Sequence, residues 1–210
     1  MCGRYALNRA LGQLRANINN ANIVENGLNF VPSNNIAPTA NVPVVINGII
    51  HLKVWGTKRQ TGMLINARSE TVREKFRDDA IQRRCLIPAD GYFEWNQEKK
   101  PHFIYEESHQ LIFFAGIYLQ SGEFVILTRE AHPSISSIHH RMPIIMTLND
   151  MHHWESQNWI SVLNRDPFNV KFHLVSSLSL KNGYNGMECV KPVKPGSIQK
   201  SLIDMIKKEE

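Results

Sequence analysis

The sequence of 210 residues has little cysteine and no long apolar run. Its three cysteines, Cys2, Cys85 and Cys189, are far apart and form no CxxC pair, which argues against a disulfide framework and a zinc site. No apolar stretch reaches the length of a membrane span, and the N-terminal residues do not have the pattern of a signal peptide. These absences predict a soluble, intracellular protein that is not secreted, with no membrane contact and no metal.

Several common catalytic motifs are also missing. The chain has no GxGxxG, no P-loop and no GxSxG, so the commonest nucleotide-cofactor and serine-hydrolase classes are excluded and no cofactor is expected. Hydrophobic residues make up 42% of the chain and charged residues 20%, values typical of a globular protein. No repeat or linker interrupts the sequence, which predicts a single domain over residues 2–210.

The positive charge is concentrated in one segment. The formal net charge is +5, and residues 58–84 carry eight basic and four acidic side chains, or +4. The basic residues of this segment are Lys58, Arg59, Arg68, Arg73, Lys75, Arg77, Arg83 and Arg84. Two interpretations remain open: a solvated helix face with i,i+4 pairs, or an edge that binds phosphates.

The pattern of the chain predicts an α+β fold with a largely antiparallel sheet system. Helices are predicted over residues 7–16, 69–84 (with Ser69 as the N-cap), 149–164 (starting at Asn149 or Thr147) and 198–210. Asn47-Gly48, between two β-rich runs, predicts a two-residue hairpin. Further strands are expected in CLIPADGYFEW, HFIYEE, LIFFAGIYL, EFVILTRE, PIIMT and KFHLVSS.

Cys2 differs from the other two cysteines, which are expected to be small buried hydrophobes. A small residue after Met favours removal of the methionine, which would make Cys2 the mature N-terminus. Its amine, with an ordinary pKa of ~7.7–8.0, and its thiol, with ~8.5, would then both be available as nucleophiles near neutral pH.

Three other polar residues lie in motifs with turn chemistry, and each also has a purely structural interpretation. In that interpretation Asn66 caps a helix near Ser69, Glu94 is a strand residue facing water, and His139 is a loop histidine held by a backbone carbonyl. The alternative for each is a chemically reactive role.

Five motifs together resemble the SOS-response-associated peptidase (SRAP) family, whose members shield abasic sites in DNA. They are CGRY at residues 2–5, NIAP at 35–38, INARSET at 65–71, RRCLIPADGYFEW at 83–95 and IHHRMP at 138–143. They occur in the family order over nearly the whole chain. The resemblance implies the barrel-like SRAP fold.

The resemblance also implies a chemistry for Cys2. Its amine would form a Schiff base with the aldehyde of an open abasic site, and its thiol would close a thiazolidine ring. Asn66, Glu94 and His139 match the other catalytic positions of the family. The implied DNA-binding residues are Arg4, Asn35, Pro38, Lys58, Arg59, Arg68 and Arg141. The expected partner is single-stranded DNA containing abasic sites, bound by a monomer in the cytoplasm or nucleoid of a bacterium, or in a eukaryotic nucleus.

The chain departs from the family pattern at two places. His140 stands where the family has an aspartate. The aromatic stretch that the family uses as a wedge at single-strand/double-strand junctions is shortened after Trp55, so Lys58 and Arg59 are expected to contact phosphates instead of stacking on bases. Two alternative functions stay open: an N-terminal-nucleophile cysteine peptidase that removes its own first residue, with possible lyase activity beside it, and a non-covalent nucleic-acid binding module.

Overall fold

The computed structural model describes residues 2–18, 22–23, 29–165, 169–180 and 183–193. Short strands dominate this part of the chain. In chain order they are β1 (Arg4–Leu7), β2 (Asn22–Ile23), β3 (Ser33–Ile36), β4 (Asn41–Ile46), β5 (Ile49–Val54), β6 (Thr57–Arg59), β7 (Gly62–Leu64), β8 (Asn66–Arg68), β9 (Arg84–Ala89), β10 (Gly91–Trp95), β11 (Pro101–Glu106), β12 (Ile112–Tyr118), β13 (Phe124–Glu130), β14 (Arg141–Pro143), β15 (Ile145–Met146) and β16 (Val170–Leu174).

The helices are shorter than the sequence pattern indicates. They are α1 (Leu11–Asn17), α2 (Val72–Lys75), α3 (Arg77–Gln82), α4 (Met151–Glu155) and α5 (Trp159–Leu163), with 3-10 turns at Ser69–Thr71, Leu148–Asp150, Ser177–Leu180 and Met187–Cys189. The α+β class with largely antiparallel sheets is confirmed.

Two sheets pack against each other, and a separate hairpin lies beside them. Sheet A has the order β16-β11-β10-β1-β3, and sheet B has the order β14-β13-β12-β9-β4-β5-β2, with β15 beside β12 and β8 beside β13. Neighbouring strands are antiparallel except in the pairs β8–β13 and β2–β5. β6 and β7 form the hairpin. Neither sheet closes on itself over the described residues. The expected barrel-like arrangement is therefore a pair of open sheets and not a closed barrel.

Alternation along β1 and β10 separates two hydrophobic clusters. Tyr5 and Tyr92 face the main core between the two sheets, whereas Ala6 and Phe93 belong to a smaller cluster on the other face of sheet A. This follows from the period of two along a strand. On the sheet A side, the main core is therefore lined by the face that carries Tyr5 of CGRY and Tyr92 of GYFEW.

The predicted Asn47-Gly48 hairpin is confirmed, but the predicted helices are modified. Both turn residues have positive φ, 50° and 72°. The helix predicted from residue 7 begins only at Leu11, because Leu7 is buried and pairs with Ser33 in β1–β3. Tertiary pairing thus overrides the helical spacing of the leucines.

The other predicted helices are divided into short pieces. The segment 69–84 breaks at Phe76, which has non-helical backbone angles and packs on the core, and Ser69 is not its N-cap. The segment 149–164 starts with Thr147, whose N–H and hydroxyl both donate to Asp150 Oδ2, and it breaks at Ser156. The helix predicted over residues 198–210 lies outside the described residues.

Candidate active site around Cys2

Cys2 lies at the entrance to β1 and is buried in the main core, with no exposed surface. Its Sγ is 3.7 Å from the carbonyl oxygen of Arg4, to which the thiol donates. Burial raises the pKa of the Cys2 thiol well above its usual range, and the negative charge of Glu94 raises it further. The thiol is therefore protonated until a neighbouring group takes its proton.

Glu94 comes to Cys2 through the pairing of β1 with β10. Arg4 lies opposite Phe93 in this ladder, so the residues just before β1 run beside Glu94. Glu94 is only 2% exposed, and burial raises the pKa of its carboxyl from 4.5 to about 7. The interpretation of Glu94 as a strand residue facing water is therefore wrong. A carboxyl with this pKa can both give and take a proton at neutral pH.

Asn66 holds Cys2 from sheet B. It is the first residue of β8, it is 8% exposed, and its side-chain Nδ2 donates to the Cys2 carbonyl oxygen at 2.8 Å. The residue preceding the 3-10 turn at Ser69 is Arg68, so Asn66 does not cap that turn. Its contact with Cys2 joins sheet B to the entrance of β1.

His139 lies at the turn before β14 and is half-buried. His139 Nδ1 is 2.9 Å from the backbone nitrogen of Arg141 and 3.1 Å from its carbonyl oxygen, and these two contacts orient the ring. Burial and the positive charges around it lower the pKa of His139 below 6.5, so the ring is neutral at pH 7. His140, which stacks on His139 with ring centroids 4.4 Å apart, is exposed.

β13 connects the segments that carry these residues. Thr128 lies opposite Arg68 of β8 and opposite Pro143 of β14, so NAR and HHRMP flank the same strand. Two of the predicted catalytic residues, Cys2 and Asn66, are in direct contact, and Glu94 interacts with Cys2 electrostatically. His139 lies at the turn before β14, the strand that pairs with β13.

Arg141, a predicted DNA contact, is largely buried and paired within the protein. It is 8% exposed and forms a bidentate pair with Glu70, at 2.6 and 2.9 Å. Its Nη2 also donates to the Thr128 carbonyl at 2.7 Å. Through Glu70 and Thr128, the guanidinium holds the turn after β8 against β13. Sequence patterns did not identify Glu70 as its partner, since the two residues are 71 positions apart.

The other predicted DNA-binding residues lie near the protein surface. Lys58 and Arg59, on β6, and Arg68, at the end of β8, are exposed. Arg4 is half-buried, and its Nη1 donates to Asn35 Oδ1 at 2.6 Å. Pro38 is half-buried, in the turn between β3 and β4. Arg4 and Asn35 thus form one polar group between β1 and β3, with Cys189 near the Arg4 guanidinium, and Lys58 and Arg59 lie on the hairpin.

Two tyrosines near Cys2 were quoted in the motifs but received no role from the sequence. Tyr5 and Tyr92 are fully buried, and their hydroxyls interact electrostatically with Cys2. The signal that could have identified them is their position, three residues after Cys2 and two before Glu94. Cys85 and Cys189 are buried free thiols, in agreement with the prediction of core cysteines.

A metal or membrane role receives no support from the part of the chain that the structure describes. No group of three or more His, Cys, Asp or Glu side chains is placed there to hold a metal ion. Within the same residues, no helix has the length and apolar character needed to span a bilayer.

Comparison with known proteins identifies relatives along most of the chain. The family model of the SOS response associated peptidase (SRAP) matches residues 1–176. Among curated proteins, the abasic site processing protein YoqW of Bacillus subtilis is 30% identical over 192 residues, covering 80% of this chain and 83% of YoqW. The abasic site processing protein YedK of Escherichia coli is 30% identical over 180 residues, covering 75% of this chain and 80% of YedK.

Solved structures share the fold. A protein from Bacteroides thetaiotaomicron superposes with a TM-score of 0.78 at 22% identity, over 92% of this chain and 100% of the other. A phage-related protein from Bordetella bronchiseptica superposes with a TM-score of 0.67 at 21% identity, over 83% and 94% of the two chains.

Proposed function

Because this chain belongs to the SOS response associated peptidase (SRAP) family, we propose that it processes abasic sites in DNA by forming a covalent link through Cys2. Relatives with 30% identity are named abasic site processing proteins, and the family match over residues 1–176 covers the motif residues. The observation that carries the proposal is the placement of Cys2 between Asn66 and a buried carboxyl whose pKa is about 7.

The proposed reaction starts with removal of Met1. The freed Cys2 amine attacks the aldehyde carbon of the open sugar, and loss of water from the carbinolamine gives an imine. The Cys2 sulfur then adds to the imine carbon, and the π electrons of the C=N bond move to nitrogen, which takes up a proton. The product is a thiazolidine. Since amine and thiol belong to one residue, ring closure is intramolecular and therefore fast.

The surrounding side chains supply proton transfer and orientation. Glu94 takes the thiol proton and delivers protons to the leaving water or to the imine nitrogen, because its pKa lies near neutrality. Asn66 fixes the Cys2 carbonyl and thus the direction of the terminal amine. The neutral His139 assists sugar ring opening from the β14 side. Arg4 and Arg68 are assigned to the phosphates next to the lesion.

One experiment tests the proposal directly. Purified protein is incubated with single-stranded DNA containing an abasic site and analysed on a denaturing gel after heating, with intact mass used to confirm loss of Met1. A heat-resistant adduct is expected with the abasic strand and not with a strand carrying a reduced abasic site, which has no aldehyde. No adduct from protein that has lost Met1 would contradict the proposal.

Substitutions at Cys2 and His139 test the roles proposed for these two residues. Cys2→Ser should lose the heat-resistant adduct yet keep an imine that borohydride traps, since the amine remains. His139→Gln should slow adduct formation, and His140→Gln serves as the matched control because it changes the exposed neighbour only. Equal effects of the two histidine variants would argue against His139.

The peptidase alternative uses the same residues, because a thiol with Glu94 beside it is also suited to attack an amide carbonyl. Selective blocking of the α-amine separates the two functions. It abolishes imine formation, whereas thiol attack on a peptide needs the amine only as a base and should lose less. Strand cleavage after imine formation would show lyase activity. DNA binding without either covalent product would favour the non-covalent module.

A further inference from the structure

Two buried hydroxyls near Cys2 have no hydrogen-bond partner among the residues that the structure describes. They belong to Tyr5 and Tyr92, both 0% exposed. Most buried polar groups in folded proteins are hydrogen-bonded, and leaving one unpaired is costly. Phenylalanine would fill the same space without this cost. The presence of two such hydroxyls around one thiol therefore calls for a functional explanation.

The pairing of β1 with β10 brings the two tyrosines together. Tyr5 lies directly opposite Tyr92, so both side chains are on the same face of sheet A. Glu94, two residues after Tyr92, shares this face. Both rings meet Phe114 of sheet B edge-on, each with a centroid distance of 5.9 Å. The hydroxyls are thus held between the sheets on the side of Cys2 and Glu94.

The charged and titratable groups around the Cys2 thiol come from three strands. Glu94 and Tyr92 lie on β10, Tyr5 lies on β1, and Cys85 on β9 interacts with Tyr5. Within this set, the two hydroxyls are the neutral donors with no assigned acceptor. Glu94 is the group that can accept the thiol proton, and its carboxyl is then neutral, so it supplies no positive charge to stabilise the thiolate. A thiolate in this buried site needs hydrogen-bond donors to offset its loss of hydration.

We propose that Tyr5 and Tyr92 are positioning residues that donate hydrogen bonds to the Cys2 sulfur as it becomes a thiolate. The inference rests on the proposed function and deepens it. In ring closure, the thiol proton passes to Glu94 and a sulfur electron pair forms the bond to the imine carbon. The C=N π pair moves to nitrogen, which receives a proton from Glu94. The tyrosines keep their own protons throughout.

The test uses Tyr5→Phe, Tyr92→Phe and the double variant in the complete protein. The rate of heat-resistant adduct formation is measured as a function of pH, and the imine is trapped with borohydride in parallel. Loss of one hydrogen bond to a charged sulfur should move the pH midpoint of adduct formation up by about one unit and lower the rate at neutral pH about tenfold. Imine trapping should stay at the wild-type rate.

Controls separate this role from a structural one. Tyr105→Phe makes the same change on β11 of sheet A, where Tyr105 stacks on Phe103 of the smaller cluster, and should leave the pH profile unchanged. The melting temperatures of Tyr5→Phe and Tyr92→Phe should equal or exceed that of the wild type, because an unpartnered hydroxyl is removed.

The outcomes are distinct. A wild-type pH profile in both variants, with adduct still formed, overturns the role of the tyrosines and leaves the proposed function intact. A parallel loss of imine and adduct together with a lower melting temperature also overturns it, as simple damage to the core. Failure of the wild type to form any adduct overturns the proposed function itself.

Discussion

At the scale of single residues, the chemistry of the site depends on how deeply each polar group is buried. Glu94 is 2% exposed, and burial keeps its carboxyl partly protonated at neutral pH, with a pKa of about 7. Asn66 and Cys2 are buried beside it. A group that must exchange protons with an amine and a thiol in turn works best with a pKa near the working pH. Burial supplies that pKa, at a cost in stability.

Glu94→Gln should therefore lower activity and raise stability. Since the folded pKa of about 7 lies above the unfolded value near 4.5, the carboxyl favours the folded state at low pH, and this contribution is lost as the pH rises from 4.5 to 7. Glutamine does not ionise. Above pH 7 the variant should exceed the wild type in free energy of unfolding by about 2–3 kcal/mol. Adduct formation should fall roughly 10²–10⁴-fold.

Urea denaturation at several pH values and the adduct assay measure these two effects. Glu98→Gln is the control, because Glu98 is exposed in the turn after β10 and pairs with Lys100. It should leave the adduct rate unchanged. Identical pH dependence of stability in Glu94→Gln and the wild type would show that Glu94 ionises normally.

At the scale of elements, predictions succeeded where structure is local and failed where it depends on distant partners. The Asn47-Gly48 turn was predictable because both positions need positive φ, which these residue types allow. The start of the first helix was not predictable from residue 7 onward, because Leu7 belongs to β1 and pairs with Ser33 of β3. The parallel pairing of β8 with β13 has no local sequence signature.

The same distinction applies to the site. Motif resemblance selected Cys2, Asn66, Glu94 and His139, but it could not give their burial or their contacts. Arg141 was predicted to bind DNA from the resemblance of its motif to the family. Its partner, Glu70, comes from the far side of β13, so only the assembled sheet shows that this guanidinium is already paired.

Gly91→Ala tests how tightly β10 must be placed. A Cβ at Gly91 would lie 2.5 Å from both the Ile104 carbonyl oxygen and Phe103 Cζ, so β10 and β11 would have to separate. We expect a loss of about 1–3 kcal/mol in the free energy of unfolding and a slower adduct reaction, because Glu94 lies on the displaced strand. Urea denaturation midpoints and the gel assay measure both.

Gly12→Ala is the matched control for this substitution. Gly12 lies in α1 with nothing within 4 Å of a new Cβ, so alanine should stabilise the protein by up to about 1 kcal/mol and leave the adduct rate unchanged. A Gly91→Ala protein with wild-type stability would mean that the β10–β11 contact can relax.

At the scale of the whole molecule, the fold determines which basic residues of the segment are exposed close to one another. Residues 58–84 hold +4 of the net charge of +5. Lys58 and Arg59 project from the β6–β7 hairpin, and Lys58 lies opposite Met63, which is 47% exposed. Arg68 is exposed at the end of β8, after Asn66. We therefore apply the two interpretations to different parts of the segment: the helical part after Ser69 fits a solvated face, and the exposed basic residues of the strand part before it are proposed as the phosphate-binding edge.

Lys58 and Arg59 should therefore control the salt dependence of DNA binding rather than the covalent step. Each phosphate contact releases counterions, so the double variant Lys58→Gln/Arg59→Gln should flatten the plot of log affinity against log salt by about 1–2 units of slope for single-stranded DNA. At saturating DNA its adduct rate should equal that of the wild type, because Cys2, Asn66 and Glu94 are untouched. The double variant Lys100→Gln/Lys171→Gln removes the same net charge from sheet A, where both lysines pair with glutamates, and should keep the wild-type slope. Equal slopes for the two double variants would mean that net charge, and not its position on the hairpin, governs the encounter with DNA.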